Sequence, residues 1–328
     1  MRRRVNINLR CNVKMRQKIL ITGGCGYIGS HVARLFLEEG HEVAVVDNLS
    51  TSDGSVLDKL QGVRAYICDL RDEQSLDRIF DTFRPTSVVH FAGSAYVGES
   101  FKRPLSYFEN NVQSTVSLAS IALKYRVMDF IFSSTCAVYK PISGELLTEE
   151  SEIGPVSPYG ASKLFCEEIL KWTSNIGSIR VVILRYFNAA GASSRGDIGE
   201  DHDPETHLIP LAVLATDRSN SMPLTVFGAD FETTDGTCER DFVHVEDLAI
   251  GHRKALEWMQ TKDAGVFDVF NLGSGRSASV LEVVESVERI SGKHVDLRYG
   301  KRRPGDPASV RADVSKAMNT FSWTPSIN

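Results

Sequence analysis

"KILITGGCGYIGSHVARLFLEEG", residues 18–40, decides the fold. Its first five residues are a short unbroken apolar run, as expected of a strand buried on both faces. From Gly26 the pattern becomes that of an amphipathic helix, ending at Gly40, a residue suited to a helix C-terminus. Gly23, Gly26 and Gly29 occupy the turn between the two. Glycines there let the chain reverse tightly, let backbone approach a phosphate, and let helix pack on strand. The helix N-terminus adds N–H donors and a partial positive charge.

The same alternation continues outward. Strands are expected at 41–47 (HEVAVVD), 63–69 (VRAYICD), 86–93 (TSVVHFAG), 128–134 (MDFIFSS) and 179–188 (IRVVILRYFN), with helical segments between them. Buried strands alternating with helices give an α/β fold, a doubly wound parallel sheet of Rossmann type. Right-handed crossovers place all carboxyl ends on one edge, where ligands bind. Asp47 ends the second strand, where an acid accepts hydrogen bonds from ribose hydroxyls and repels a 2′-phosphate. The cofactor expected is therefore NAD rather than NADP. Asp69, at the end of the third strand, is placed to meet the adenine edge.

After residue 189 the chain turns polar and glycine-rich, followed by shorter elements: helices near 208–216, 246–259 and 280–290 and a strand in "PLTVFG". These read as a smaller mixed α/β lobe over the ligand edge. The expected organisation is a basic extension (1–17), an NAD-binding domain (18–188) and a mainly substrate-binding lobe (189–328). The abrupt end "FSWTPSIN" reads as a truncated C-terminus lacking a final helix.

The chain has 328 residues, 42% hydrophobic and 24% charged, an ordinary globular composition. Its net charge of -5 hides a basic start: residues 1–17 hold six Arg or Lys and no acid, leaving -11 for the rest. That body is a poor partner for nucleic acid. The start is not Ser-rich and has no secretory apolar stretch; Met15 reads as the true beginning. No run is long enough for a membrane span. Cys11, Cys25, Cys68, Cys136, Cys166 and Cys238 are dispersed, which fits a reducing, cytoplasmic setting. With no C-x-x-C and no H-x-x-x-H, no metal is expected.

"SPYGASK", residues 157–163, puts Tyr159 and Lys163 on one helix face. Beside a nicotinamide, the pair reads as a base and its activator. A phenol near pKa 10 must fall by about 3 units, or about 4 kcal/mol, and a cationic lysine and a positive ring both favour the phenolate. "FSSTCAVY" offers Ser133, Ser134 and Thr135 as a third, hydroxyl member, although such hydroxyls also serve as turn caps.

Together, "TGGCGYIGSH", "HFAG…VGES", "NNV", "SSTCAVY", "YGASK" and "LRYFNAAGA" resemble the extended short-chain dehydrogenases/reductases. "GEDHDPETHLIP", "DGTCERDFVHVEDLA", "FNLGSG" and "RRPGDP" are similar to UDP-glucose 4-epimerases in particular. The resemblance covers about residues 18–325. It implies catalysis by Tyr159, Lys163 and Thr135, with Ser134 as a neighbour. For the cofactor it implies Gly23, Gly26, Tyr27, Ile28 and Gly29 at the phosphates, then Asp47, Asn48, Asp69 and Leu70 at the adenosine end. Phe91, Ala92, Gly93, Asn110 and Tyr186, with Tyr159 and Lys163, complete that set. For the nucleotide of a UDP-sugar it implies Asn188, Arg240, Arg303 and Asp306, with Leu208, Thr225 and Phe227 around uracil. Guanidinium groups suit a diphosphate because they bond it bidentately. The implied reaction interconverts UDP-glucose and UDP-galactose through a 4-keto sugar that turns over before its reduction. A homodimer is also implied.

Three departures stand out. Residues 94–96 read Ser-Ala-Tyr where the family often has a lysine, Lys140 replaces a common glycine, and Val310 falls where a tyrosine gates the sugar pocket. A smaller gate leaves room for an N-acetyl group, so UDP-GlcNAc and UDP-GalNAc are expected substrates, and a UDP-pentose is an alternative. A dehydratase needs an acid after the catalytic threonine, but Cys136 and Ala137 follow Thr135. No site for a decarboxylase's sugar carboxylate is identified. A non-catalytic NAD sensor would dispense with the Tyr/Lys pair.

Overall fold

The opening stretch folds as strand Lys18–Thr22, a glycine turn and helix Tyr27–Glu38, with Gly40 left-handed just beyond it (φ +85°). The computed structural model describes residues 16–327 apart from 143, 145, 177, 203, 218–221 and 304, so most of the basic extension lies outside the described residues. Seven parallel strands form the main sheet in the spatial order Phe267–Leu272, Arg180–Tyr186, Asp129–Thr135, Ser87–His90, Lys18–Thr22, Glu42–Asp47 and Arg64–Ile67. The chain reverses direction across the sheet between Lys18–Thr22 and Ser87–His90. A crevice opens at such a switch point, beside the glycine turn.

Strand alternation divides the core in two. Ile19, Ile21, Val43, Val45 and Ile131 face one side, against Val32 and Phe36 of the first helix and Leu248, Leu256 and Met259 of helix Val245–Met259. Leu20, Ala44, Val46, Phe130 and Phe132 face the other, against Leu76, Phe80 and Phe83 of helix Glu73–Phe83 and Leu118 of helix Ser114–Lys124. Both faces are covered, which explains the unbroken apolar runs in the strands.

The expected boundary at residue 188 is crossed in both directions. Strand Phe267–Leu272 returns to the main sheet, and helix Val245–Met259 packs beside the first helix. In exchange, Leu146–Leu147 leaves the early chain to pair with Ser309–Ala312 in a four-stranded sheet that also holds Glu239–Arg240 and Ala278–Ser279. The reason is packing: with the motif helix on one face, the last parallel strand needs the late helix to cover the other. Two short pairs, Asn188–Ala190 with Phe242–His244 and Leu224–Phe227 with Leu297–Gly300, complete the smaller lobe. Trp323 is fully buried and donates to Asp247 O at 2.9 Å, tying the late chain to that helix. Among the described residues, no helix is long and apolar enough to cross a membrane.

Candidate active site

All the cofactor, catalytic and substrate residues named from the sequence line one cleft of about 1820 Å³, between the carboxyl edge of the main sheet and the smaller lobe. At the glycine turn, a Cβ on Gly23 (φ +69°) would lie 2.6 Å from Ala92 N, and one on Gly29 would lie 2.3 Å from Gly23 O. Only glycine fits either position. The helix that Gly26 begins has no side-chain cap and no acid in its first turn, and Tyr27, Ile28 and Gly29 of that turn line the cleft.

Asp47 accepts from Cys25 N at 3.0 Å and from Leu49 N at 2.9 Å, which fixes its carboxylate at the sheet edge. Asp69 stands two residues beyond its strand, Arg64–Ile67, not at its end. It is gripped by Arg71 on both oxygens (2.8 and 2.7 Å) and by Asn48 Nδ2 (3.2 Å), and the Arg71 guanidinium holds its pKa well below the ordinary carboxylate range. The expected adenine contact therefore comes from an already engaged carboxylate.

The motif helix runs Pro158–Asn175, with Ser157 capping Gly160 N at 3.1 Å. Tyr159 and Lys163 are both buried, not on a solvated face. Gly160 permits this: a Cβ there would sit 2.3 Å from Ala137 O, in the turn that follows Thr135. The close approach sets Tyr159 beside Thr135. Gly160→Ala is expected to push the helix off that turn, lowering kcat at least tenfold by misplacing the phenol while substrate KM changes little. Steady-state kinetics of the variant check this.

Lys163 Nζ donates to Ser133 O at 2.8 Å, and burial lowers its pKa to about 8. Burial pushes the Tyr159 phenol up to about 12, with a hydrogen bond from Thr135 opposing. The Lys163 ammonium is aimed at the strand carbonyl, so lowering the phenol calls for the positive nicotinamide ring as well.

Ser134 is also corrected. Neighbours along a strand face opposite sides, so Ser133 and Thr135 share the cleft face and Ser134 turns away. Its hydroxyl donates to Glu167 Oε1, whose other oxygen pairs with Arg185 Nη2 at 2.6 Å. Ser134 therefore braces helix to sheet rather than serving the reaction. Thr135 also accepts from Ala137 N at 3.1 Å, so the turn-cap reading holds alongside the catalytic one.

At the far end, Arg240 is held by Asp306 (2.5 Å) and Pro307 O (3.0 Å), and Val310 is its direct neighbour across the strands. Arg303 lies over the Phe227 ring at 4.1 Å, and Thr225 accepts from Arg298 Nε at 2.8 Å. Asn188 begins its strand with its N–H on Asp241 O, and Leu208 opens helix Leu208–Leu214.

The sequence profile of the NAD dependent epimerase/dehydratase family matches residues 19–273. The chain belongs to this family. A UDP-glucose 4-epimerase of Halalkalibacterium halodurans is 43% identical over 94% of this chain and 90% of its own. Among solved structures, the UDP-glucose 4-epimerase of Brucella ovis in complex with NAD superposes with TM-score 0.88 at 40% identity, covering 94% of this chain and 93% of that one. The UDP-Glc/GlcNAc 4-epimerase of Campylobacter jejuni does so with TM-score 0.82 at 39% identity, over 95% of each.

This epimerase/dehydratase chain also shows how its departures are accommodated. Ser94 sits in a polar knot: its N–H donates to Asn111 Oδ1 (2.7 Å), its hydroxyl accepts from Asn110 (3.0 Å), and Asn111 reaches Ser162 (2.9 Å). A π-helical turn, Phe108–Gln113, presents both asparagines. Lys140 is paired with Glu152 at 2.9 Å. Sequence reading missed Asn111, although "NNV" held it, and it missed His252. That buried imidazole donates from Nδ1 to Leu248 O (2.8 Å), so its Nε2 accepts from the hydroxyl of Tyr186. No local signal in "EDLAIGHRKAL" points to this contact across the sheet.

Proposed function

We propose that the chain is an NAD-dependent 4-epimerase interconverting UDP-glucose and UDP-galactose through a transient 4-keto sugar. The observation that carries this is the Thr135–Tyr159 contact in one continuous cleft with a glycine cradle and a pair of arginines. The cradle fits a dinucleotide, since side chains are sterically excluded at Gly23 and Gly29 and the helix N-terminus is uncapped. Asp47 suits ribose hydroxyls. Bound NAD supplies reversible hydride transfer at the sugar's C4. Tyr159 holds and moves the proton at the sugar's O4, relayed through Thr135, while Lys163 fixes the ribose and favours the phenolate. Arg240 and Arg303 hold the diphosphate firmly, with Asn188, Leu208, Thr225 and Phe227 around the nucleotide. The sugar keeps few contacts and is free to turn. Proton NMR of the anomeric region after incubation with UDP-galactose tests the reading: appearance of UDP-glucose without added NAD is expected, and no change even with NAD would sink it.

Val310 favours a wider substrate range. It lies on the cleft wall beside Arg240 with a side chain far smaller than tyrosine, which supports turnover of UDP-GlcNAc and UDP-GalNAc. The similarity to an enzyme described as acting on both UDP-Glc and UDP-GlcNAc points the same way. Val310→Tyr is expected to cut turnover of UDP-GlcNAc by about tenfold or more and to spare UDP-galactose, as read by the same NMR assay on both sugars.

A homodimer is supported by Phe165 and Trp172, seven residues apart on the motif helix and 56% and 69% exposed, beside exposed Val116 on the neighbouring helix. Sedimentation is expected to give twice 36.3 kDa, and Trp172→Glu to give one chain. Five free cysteines among the described residues support a reducing, cytoplasmic location.

A further inference from the structure

The loop that enters helix Leu208–Leu214 gathers four side chains that the reaction does not use. The donor atoms of Glu200, His202, Glu205 and His207 all lie within 4.8 Å of one another. Glu200 Oε1 is 3.2 Å from His202 Nδ1 and 2.6 Å from His207 Nδ1, and Glu205 Oε1 is 3.3 Å from His207 Nδ1. The imidazoles stand 5.3 Å apart, centre to centre, with the Tyr96 ring against both at 5.8 and 6.0 Å. Their order, E-x-H-x-x-E-x-H, escaped a search for H-x-x-x-H.

We propose that these four residues form a site for a divalent transition metal, zinc by preference. Metal–ligand bonds of about 2.0–2.2 Å put neighbouring donors about 3.0–3.6 Å apart. Of the three separations given above, two already fall in that range and the third needs to open by under an ångström. The remaining pairs, all within 4.8 Å, need to close by little more than an ångström at most. Two imidazoles with two carboxylates and no thiolate suit Zn²⁺, Co²⁺ or Mn²⁺ better than Mg²⁺ or Cu⁺. The charges also favour a cation. Glu200 and Glu205 are largely shielded, and among the described residues their only ion-pair partners are these two histidines. A bound ion would tie Glu200, His202, Glu205 and His207 together on the cleft wall and fix the start of the helix that carries Leu208. It takes no part in the chemistry at Tyr159.

The same distances suit plain imidazole–carboxylate hydrogen bonds, so the test must read the metal itself. The full chain, stripped with a chelator, is titrated with ZnCl₂ by calorimetry and with CoCl₂ by visible absorption. One Zn²⁺ per chain is expected, with a Co²⁺ d–d spectrum of nitrogen–oxygen type that Zn²⁺ abolishes and a rise in melting temperature with either ion. His202→Asn/His207→Asn is expected to weaken Zn²⁺ binding at least a hundredfold. If that variant does not fold, Glu205→Gln keeps the test open, with at least a tenfold loss expected. Absence of binding, a thiolate charge-transfer band, or an affinity unchanged in the variants would overturn the site.

Discussion

Tyr159→Phe is expected to lower kcat for UDP-galactose by about 10²–10⁴-fold, the range for removing a general acid–base. NAD should remain bound, because the phenylalanine ring keeps the packing against Tyr107 and deletes only the oxygen beside Thr135. Retention is read by denaturing the purified variant and quantifying the released cofactor, and the rate by the NMR assay. The wild-type pH profile carries a second expectation. Burial, with a hydrogen bond from Thr135 opposing it, pushes the phenol up to about 12. The pKa governing kcat/KM should lie far lower, because the positive nicotinamide ring and Lys163 must together reverse that burial penalty. An enzyme whose rate rose only above pH 11 would show that the ring and Lys163 do not lower the phenol's pKa.

Lys163→Met is expected to remove activity on a similar scale, about 10²-fold or more, yet to relieve the folded chain at neutral pH. Burial depresses the amine from 10.5 to about 8, so folding disfavours its charged form. The sign follows from proton binding. Between pH 8 and 10.5 the unfolded chain binds more protons than the folded one, so wild-type stability rises with pH in that window. The cost is fully present below pH 8 and gone above 10.5. The full span of 2.5 units corresponds to about 3 kcal/mol. Methionine has no such charge, so wild type should gain on the variant by up to that amount between pH 7 and 10.5, with the lost bond to Ser133 O as a constant offset. Denaturant melts of both cofactor-free chains across this range check it. A difference that stays flat with pH would mean that folding does not lower the pKa of Lys163.

Much of the molecule was legible because its signals are local. A strand buried on both faces must be an apolar run, and a phosphate turn must have glycine where a Cβ would strike backbone, as at Gly23 and Gly29. Tyr159 and Lys163 are one helical turn apart, so their place on one helix face follows from spacing alone. The asparagines of "NNV" were legible only as a motif. Their knot with Ser94 and Ser162 joins segments far apart in the chain.

The sequence by itself determined the alternating architecture, the glycine turn, the acid that ends the second strand at Asp47, and the placing of Tyr159 and Lys163 on one helix face. These rest on steric rules and periodicities acting within a few residues. Only the tertiary structure decided that Phe267–Leu272 rejoins the main sheet, that Ser134 turns to Glu167 while Thr135 faces Tyr159, and that Asp69 is gripped by Arg71. It alone decided the phenol's pKa and the meeting of two histidines with two glutamates. Burial and non-local pairing are properties of the packed chain: desolvation depends on what covers a group, and a strand's partner depends on which apolar face is still uncovered.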